Sequence, residues 1–205
     1  MATNIEIVGL TPNQVSDGGQ VLGRAFLDDP LILFVLPDEE KRERATLRVM
    51  TAMTRYGTLR GTVDTTSGTV DGVAMWFPPG ETGNSIVGMF RSGLIMAMLR
   101  AGFSSARRFS DCLSHGEKLH KRDMPGDHMY LPLLGVEPNR QGQGIGSALL
   151  APGLARADSA GLPCYLETSR ERNLPFYTRH GFEVIVEDNL PNGGPRMWTM
   201  KREPR

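Results

Sequence analysis

The stretch from Tyr130 to Leu150, Tyr-Leu-Pro-Leu-Leu-Gly-Val-Glu-Pro-Asn-Arg-Gln-Gly-Gln-Gly-Ile-Gly-Ser-Ala-Leu-Leu, constrains the fold more than any other part of the chain. A short apolar run, Leu131 to Val136, stops at Pro138-Asn139 and is followed at once by a helical pattern, so the spacing predicts strand, tight loop, helix. Inside the loop Gln141, Gly142, Gly144 and Gly146 stand at the spacing Gln-Gly-x-Gly-x-Gly, with Gln143, Ile145 and Ser147 between and after them. Glycines let such a loop visit positive φ and let an anion approach backbone with no Cβ in the way. The helix expected from Gly146 to about Ala160 adds unpartnered N–H groups and a positive dipole end. The combination suits a pyrophosphate. A Walker A loop would need a Lys before Ser147, and a Rossmann fingerprint is spaced differently. On the loop alone, a purely structural turn stays open.

Composition narrows the class. A chain of 205 residues, 40% hydrophobic and 22% charged, suffices for one α/β domain with a sizeable core, read as residues 1–205 without linker or repeat. Twenty-three basic residues balance twenty-three acidic ones, which leaves no electrostatic footprint for nucleic acid. Met1-Ala-Thr-Asn opens on no basic, apolar leader, and no apolar run reaches the roughly eighteen residues of a membrane span. Cys112 and Cys164 suggest neither a disulfide framework nor a metal site. The expectation is a cytoplasmic protein, monomer or homodimer, without membrane or nucleic-acid partner and without metal.

Taken in order, Ile5 to Leu10 reads as a strand, and Thr11-Pro12 starts a helix that ends at Asp28-Asp29-Pro30. A long amphipathic helix runs from Pro37-Asp38 to about Leu59. Thr62 to Thr66 and Val70 to Phe77 read as a hairpin. Between 84 and 123 the spacing gives two helices broken at Gly102; Met89, Phe90, Met96 and Met98 are either core or an adaptable apolar wall. His128 to Val136 and Pro163 to Thr168 read as strands, the second buried on both faces by parallel pairing. Asn173 is expected to cap a short helix holding Phe176 and Tyr177, before a final hairpin of Phe182 to Glu187 with Met197 to Met200.

Several of these segments, in order, carry a resemblance. Leu134-Gly135-Val136-x-Pro138, Arg140-Gln141-Gly142-x-Gly144-x-Gly146, Tyr165-Leu-Glu167-Thr-Ser, Asn173 and Phe176-Tyr177-x-x-His-Gly181-Phe182 together resemble the core of the GNAT superfamily of N-acetyltransferases over roughly the last eighty residues. Glu167 to Tyr177 and Gly194 to Met200 are similar to segments of its puromycin N-acetyltransferase branch, while the N-terminal half is less similar. The resemblance implies an α/β (α+β) GNAT fold. That means a mixed sheet of about seven strands with flanking helices and one splayed pair of parallel strands. It implies acetyl-CoA as co-substrate and a small-molecule primary amine as acceptor, an aminonucleoside such as puromycin among them. A peptide-acetylating enzyme and a non-catalytic CoA-binding module are the rivals.

The same resemblance assigns roles. Two neighbouring strands would splay apart after Leu134, Gly135 and Val136, freeing backbone groups for the pantetheine amides, and Gly135 and Pro138 are compatible with a bulge there. Arg140 to Ser147 and Asn173 would complete the cofactor site. A neutral amine attacks the thioester directly, so Cys164 is not needed as a nucleophile. Tyr177 matches the position whose phenol points at the thioester sulfur and is assigned general acid. Glu167, ending an apolar strand beside the opening, is assigned general base. Asp28 and Asp29 are either a solvated helix end before Pro30 or carboxylates that meet a cationic acceptor, and Met89 and Phe90, where not core, would meet an aromatic one.

Overall fold

Strand β3 (Gly72–Phe77) is buried at every residue, and the rest of the sheet is laid out around it. Its side chains alternate between Val73, Met75 and Phe77 on one face and Ala74 and Trp76 on the other, and two apolar clusters collect on those two faces. A computed structural model describes residues 5–82 and 84–205, so the reading of Met1 to Asn4 lies outside the described residues. Within them, seven strands form one mixed sheet in the order β1-β2-β3-β4-β5-β7-β6. The ranges are β1 Ile7–Gly9, β2 Thr62–Thr66, β4 Met129–Val136, β5 Cys164–Thr168, β6 Glu183–Asn189 and β7 Arg196–Arg202. The sheet has the strand content expected, with β7 inserted between β5 and β6.

One face is covered by α1 (Val15–Phe26), α3 (Glu39–Arg60) and the helices of residues 86–123. The other is covered by α7 (Ile145–Ser159) and α8 (Leu174–Arg179), through fully buried Leu149 and Leu150 on α7 and buried Tyr177 on α8, with fully buried Phe182 just beyond α8. Each such side chain contributes about 1.5–3 kcal/mol by leaving water. Three departures from the sequence expectation bear on the site. A short α2 (Pro30–Val35) follows α1, because Pro30 fits the first helical position and the Asp29 side chain accepts from the Leu31 N–H. The 84–123 segment holds three helices, α4 (Ile86–Ser92), α5 (Leu94–Ala101) and α6 (Phe103–Asp123), since Gly93 as well as Gly102 takes positive φ. Helix α7 begins at Ile145, with Gly144 before it.

The geometry that matters most lies in β4. It pairs antiparallel with β3 along most of its length but parallel with β5 only at Met129↔Cys164, Tyr130↔Tyr165 and Leu131↔Leu166. Past Leu131 the two parallel strands part. At that point the β3 register slips: Phe77 faces Tyr130 and Met75 faces Leu133, so two residues, Leu131 and Pro132, oppose one. The extra residue makes a bulge and inverts the alternation, which is why Tyr130 and Leu133 both face the α3 side. Pro132 has no N–H to give a β5 ladder. The splay was expected after Leu134-Gly135-Val136, with a bulge near Gly135 and Pro138; the strands part earlier, past Leu131, and the bulge sits at Leu131-Pro132. Gly135 pairs regularly with Val73, and its role is to admit α1: a Cβ there would lie 2.7 Å from the Leu22 side chain.

Candidate active site

The opened β4 leads into the glycine loop. Gly142 and Gly144 adopt φ of +76° and +85°, and a Cβ on either would meet no atom within 4 Å, so their backbone faces open space. The first intrahelical bond of α7 runs from the Ala148 N–H to the Gly144 carbonyl. The N–H groups of Ile145, Gly146 and Ser147 therefore have no helical acceptor and point out of the N-terminus. Ile145 still buries its side chain in the core, and Gly146 is small because Phe176 of α8 lies 3.3 Å from where its Cβ would be. Gln141 donates from Nε2 to the Val136 carbonyl at 3.1 Å, tying the loop to the end of β4, and Gln143 reaches the Asn139 carbonyl. Arg140, half-exposed, pairs with Asp71 at 3.3 Å. Exposed backbone donors, a positive dipole end and no Cβ in the way fit the pyrophosphate of a CoA-type cofactor.

The gap between β4 and β5 opens into a cavity of about 250 Å³ that extends under α3, α4, α5 and α6. Its walls carry no Lys or Arg; the charged side chains lining it are the carboxylates Asp29, Glu117 and Glu167. Leu133 and Leu134 line the β4 side, and Tyr56, Met89, Leu94, Met98 and Phe109 make the apolar far end.

Glu167 is the first β5 residue beyond the last β4 partner and lines this cavity. Desolvation pushes its carboxyl up to about 7, against a hydrogen bond from the Tyr130 hydroxyl to Oε2 at 2.7 Å that favours the charged form. Tyr130 and Tyr165 face each other across the parallel register, on the face that Glu167 shares. His120 of α6 stacks on Tyr165 at 4.3 Å between ring centroids and reaches His128, Nε2 to Nε2, at 2.6 Å. His128 Nδ1–H donates to the Gly126 carbonyl at 2.6 Å. Burial lowers the pKa of both histidines, His120 to about 4, so the pair is neutral near pH 7. The His120–Tyr130–Tyr165 cluster was missed in the sequence. The signal for it was the i, i+2 placement of Tyr165 and Glu167 on one face of a strand.

Tyr177 lines the same cavity from α8. Burial, and secondarily the Asp29 charge, push its phenol well above the usual tyrosine range, and no described group bonds its hydroxyl. Asn173 precedes α8 but does not cap it with its side chain. It sits in a helical conformation at the end of a 3-10 turn, and its Nδ2 donates to Thr168 Oγ1 at 3.2 Å, bracing the end of β5.

Asp28 and Asp29 are committed to protein partners. Asp29 accepts from Leu31 N–H, Ser169 Oγ at 2.8 Å and Arg170 Nε at 3.0 Å; Asp28 takes Arg170 Nη2 at 2.5 Å. These bonds clasp the start of α2 to the end of β5 and set the Arg170 guanidinium against the charge of both carboxylates. Asp28 lies on a separate, open cleft of about 500 Å³ with Arg170, Arg172 and Trp198. Met89 lines the inner cavity, as an apolar wall requires, whereas Phe90, one residue on around α4, is 74% exposed and does not. Cys164 is fully buried and Cys112 nearly so, each thiol pushed up to about 11 by burial. Among the described residues no group of His, Cys, Asp and Glu is arranged to hold a metal ion, and no helix is long and apolar enough to cross a membrane.

A mixed seven-stranded sheet whose parallel pair splays beside a glycine loop at a helix N-terminus defines the GNAT fold. The chain carries a GNAT acetyltransferase domain. A family profile described as the acetyltransferase (GNAT) domain matches residues 101–184. An uncharacterized N-acetyltransferase of Schizosaccharomyces pombe is 31% identical over 169 residues, covering 77% of this chain and 66% of that relative, so the match spans about two thirds of the relative's length. Among solved structures, one described as histone acetyltransferase HPA2 and related acetyltransferase from Corynebacterium glutamicum superposes with a TM-score of 0.71 at 22% identity, covering 99% of this chain and 98% of the other. Arylalkylamine N-acetyltransferase 2 from Aedes aegypti does so with a TM-score of 0.64 at 14% identity, covering 99% and 100%.

Proposed function

We propose that residues 1–205 act as one domain that transfers an acetyl group from acetyl-CoA to the primary amine of a small molecule with an apolar or aromatic body. An aminoacyl nucleoside of the puromycin kind is the candidate acceptor. The observation that carries this reading is the parting of β4 from β5 past Leu131, with an anion cradle at one end and Glu167 at the other. Backbone groups of Leu133 to Val136 on the side away from β3 have no β5 partner and suit the amides of a pantetheine arm. The loop from Gln141 to Ser147 takes the pyrophosphate, and acetyl-CoA supplies the activated thioester.

The amine nitrogen attacks the thioester carbonyl carbon, a C–N bond forms and the C–S bond breaks. Glu167 accepts the amine proton, directly or through water; a carboxyl poised near pH 7 is half-ionised where it works. The departing thiolate, raised in basicity by the same apolar surroundings, takes its proton from the Tyr177 hydroxyl, which burial keeps protonated. An α-amino group in water titrates near 7.7–8.0 and is neutral to roughly 10% or more at pH 7, whereas a lysine amine, titrating near 10.4, is neutral to about one part in a thousand. One modest base therefore favours the former, and the enclosed apolar cavity favours a compact acceptor over a peptide.

Calorimetry with acetyl-CoA and thiol release against an amine panel test the reading. Saturable acetyl-CoA binding with release only in the presence of an amine supports it. Binding without release from any amine points to a non-catalytic module, and no binding removes the cofactor assignment.

A further inference from the structure

Six of the ten exposed large hydrophobic side chains among the described residues fall between residues 86 and 103. They are Ile86, Val87 and Phe90 on α4, Met96 and Leu99 on α5, and Phe103 at the start of α6, with Ile86, Phe90 and Phe103 exposed to 77%, 74% and 82%. Both α4 and α5 pack their inner sides on α3 and line the cavity through Met89, Leu94 and Met98, so they are apolar on the inside and outside alike. A helix at a protein–water boundary ordinarily turns a polar face outward. Exposed apolar side chains gathered on three consecutive helices mark a contact with something other than water.

The charges on the segment say what it contacts. From Ile86 to Arg108 the ionisable residues are Arg91, Arg100, Arg107 and Arg108, with no Asp or Glu. Arg91 and Arg100 are exposed and carry no ion pair among the described residues. The acids flanking the segment in sequence, Glu81 and Asp111, each already face an arginine, Arg60 and Arg107. A second copy docking by two-fold symmetry would set this cation-only face against itself, which its own charge opposes. An anionic surface with an apolar layer beneath meets both features at once.

We propose that the outer face of α4, α5 and the first turn of α6 docks the protein on an anionic phospholipid surface, with Ile86, Phe90, Leu99 and Phe103 entering the headgroup layer and Arg91 and Arg100 meeting lipid phosphates. The sequence expectation set membranes aside because no segment spans one; a surface contact needs no span. The docked face is the outside of the two helices whose inside walls the cavity.

The test is co-sedimentation of the full chain with phosphatidylcholine vesicles, alone or with about a third phosphatidylglycerol. The expected result is binding to the anionic vesicles that falls at least tenfold in Ile86→Ser/Phe103→Ser and in Arg91→Glu/Arg100→Glu, with the fold intact by circular dichroism and acetyl-CoA affinity unchanged. No binding of the wild type to anionic vesicles, or equal binding by both double variants, overturns the proposal. It is likewise overturned if light scattering finds a dimer that either double variant converts to a monomer, since the face would then join two copies of the chain.

Discussion

Replacing Glu167 by Gln separates its two consequences, one for rate and one for stability. Its carboxyl is pushed from the ordinary 4.5 up to about 7 in the folded protein, first by desolvation. As the working base it must be ionised, so kcat/KM should rise about tenfold between pH 6 and pH 8 as the carboxylate forms. Glu167→Gln should remove that limb and lower kcat/KM by about 10²- to 10⁴-fold. On stability, a carboxyl whose folded pKa is raised contributes fully below its unfolded value and loses that contribution as pH climbs through the folded one. The window therefore runs from about 4.5 to about 7. A shift of this size corresponds to roughly 3 kcal/mol as an upper bound. Wild type should thus lose stability relative to Glu167→Gln between pH 4.5 and pH 8, followed by urea denaturation at each pH. The pH–rate profile is measured with an acceptor whose amine is neutral throughout the range, so that the substrate adds no limb. Superimposable pH profiles for rate and stability in the two proteins would refute the assignment of Glu167 as a buried base.

Tyr177→Phe should lower kcat by about 10²-fold while acetyl-CoA binding, followed by calorimetry, stays within about twofold. Gly144→Asp forces a side chain onto a position at φ +85° and brings a negative charge to the cradle; acetyl-CoA affinity should fall by about tenfold or more with circular dichroism unchanged. Met89→Ala should raise KM for an aromatic acceptor without altering that for acetyl-CoA, whereas Phe90→Ala, outside the cavity, should leave both unchanged in steady-state assays.

Much of this was legible from local pattern because the cofactor site is built from contiguous chain. Strand, loop and helix follow one another from Met129 to Ser159, and glycine spacing there reports a backbone requirement directly. The bulge at Leu131-Pro132 was displaced to Gly135 because a register slip depends on β3, more than fifty residues away, and the glycine answered to α1 instead. Asp28 and Asp29 read as free carboxylates for the same reason: Arg170, which takes both, is remote in sequence. Helical spacing in residues 84–123 could not distinguish Met89 from Phe90, because both faces of α4 are apolar and only the packing on α3 decides which is inside. The aromatic and histidine surroundings of Glu167 come from α6, β4 and β5 together, and no single segment announces them.

The measurement that bears most directly on the central claim is mass spectrometry of acceptors incubated with the protein and acetyl-CoA, run beside a thiol-release assay. The panel holds puromycin, an arylalkylamine, a polyamine and a lysine peptide. The account predicts that the aromatic primary amines gain one acetyl group on nitrogen, one thiol released per acetyl transferred, with kcat/KM well above that for the peptide or the polyamine. Equal or faster acetylation of the lysine peptide or the polyamine would contradict the acceptor assignment, and thiol release with no acetylated amine in any tube would contradict the transferase itself.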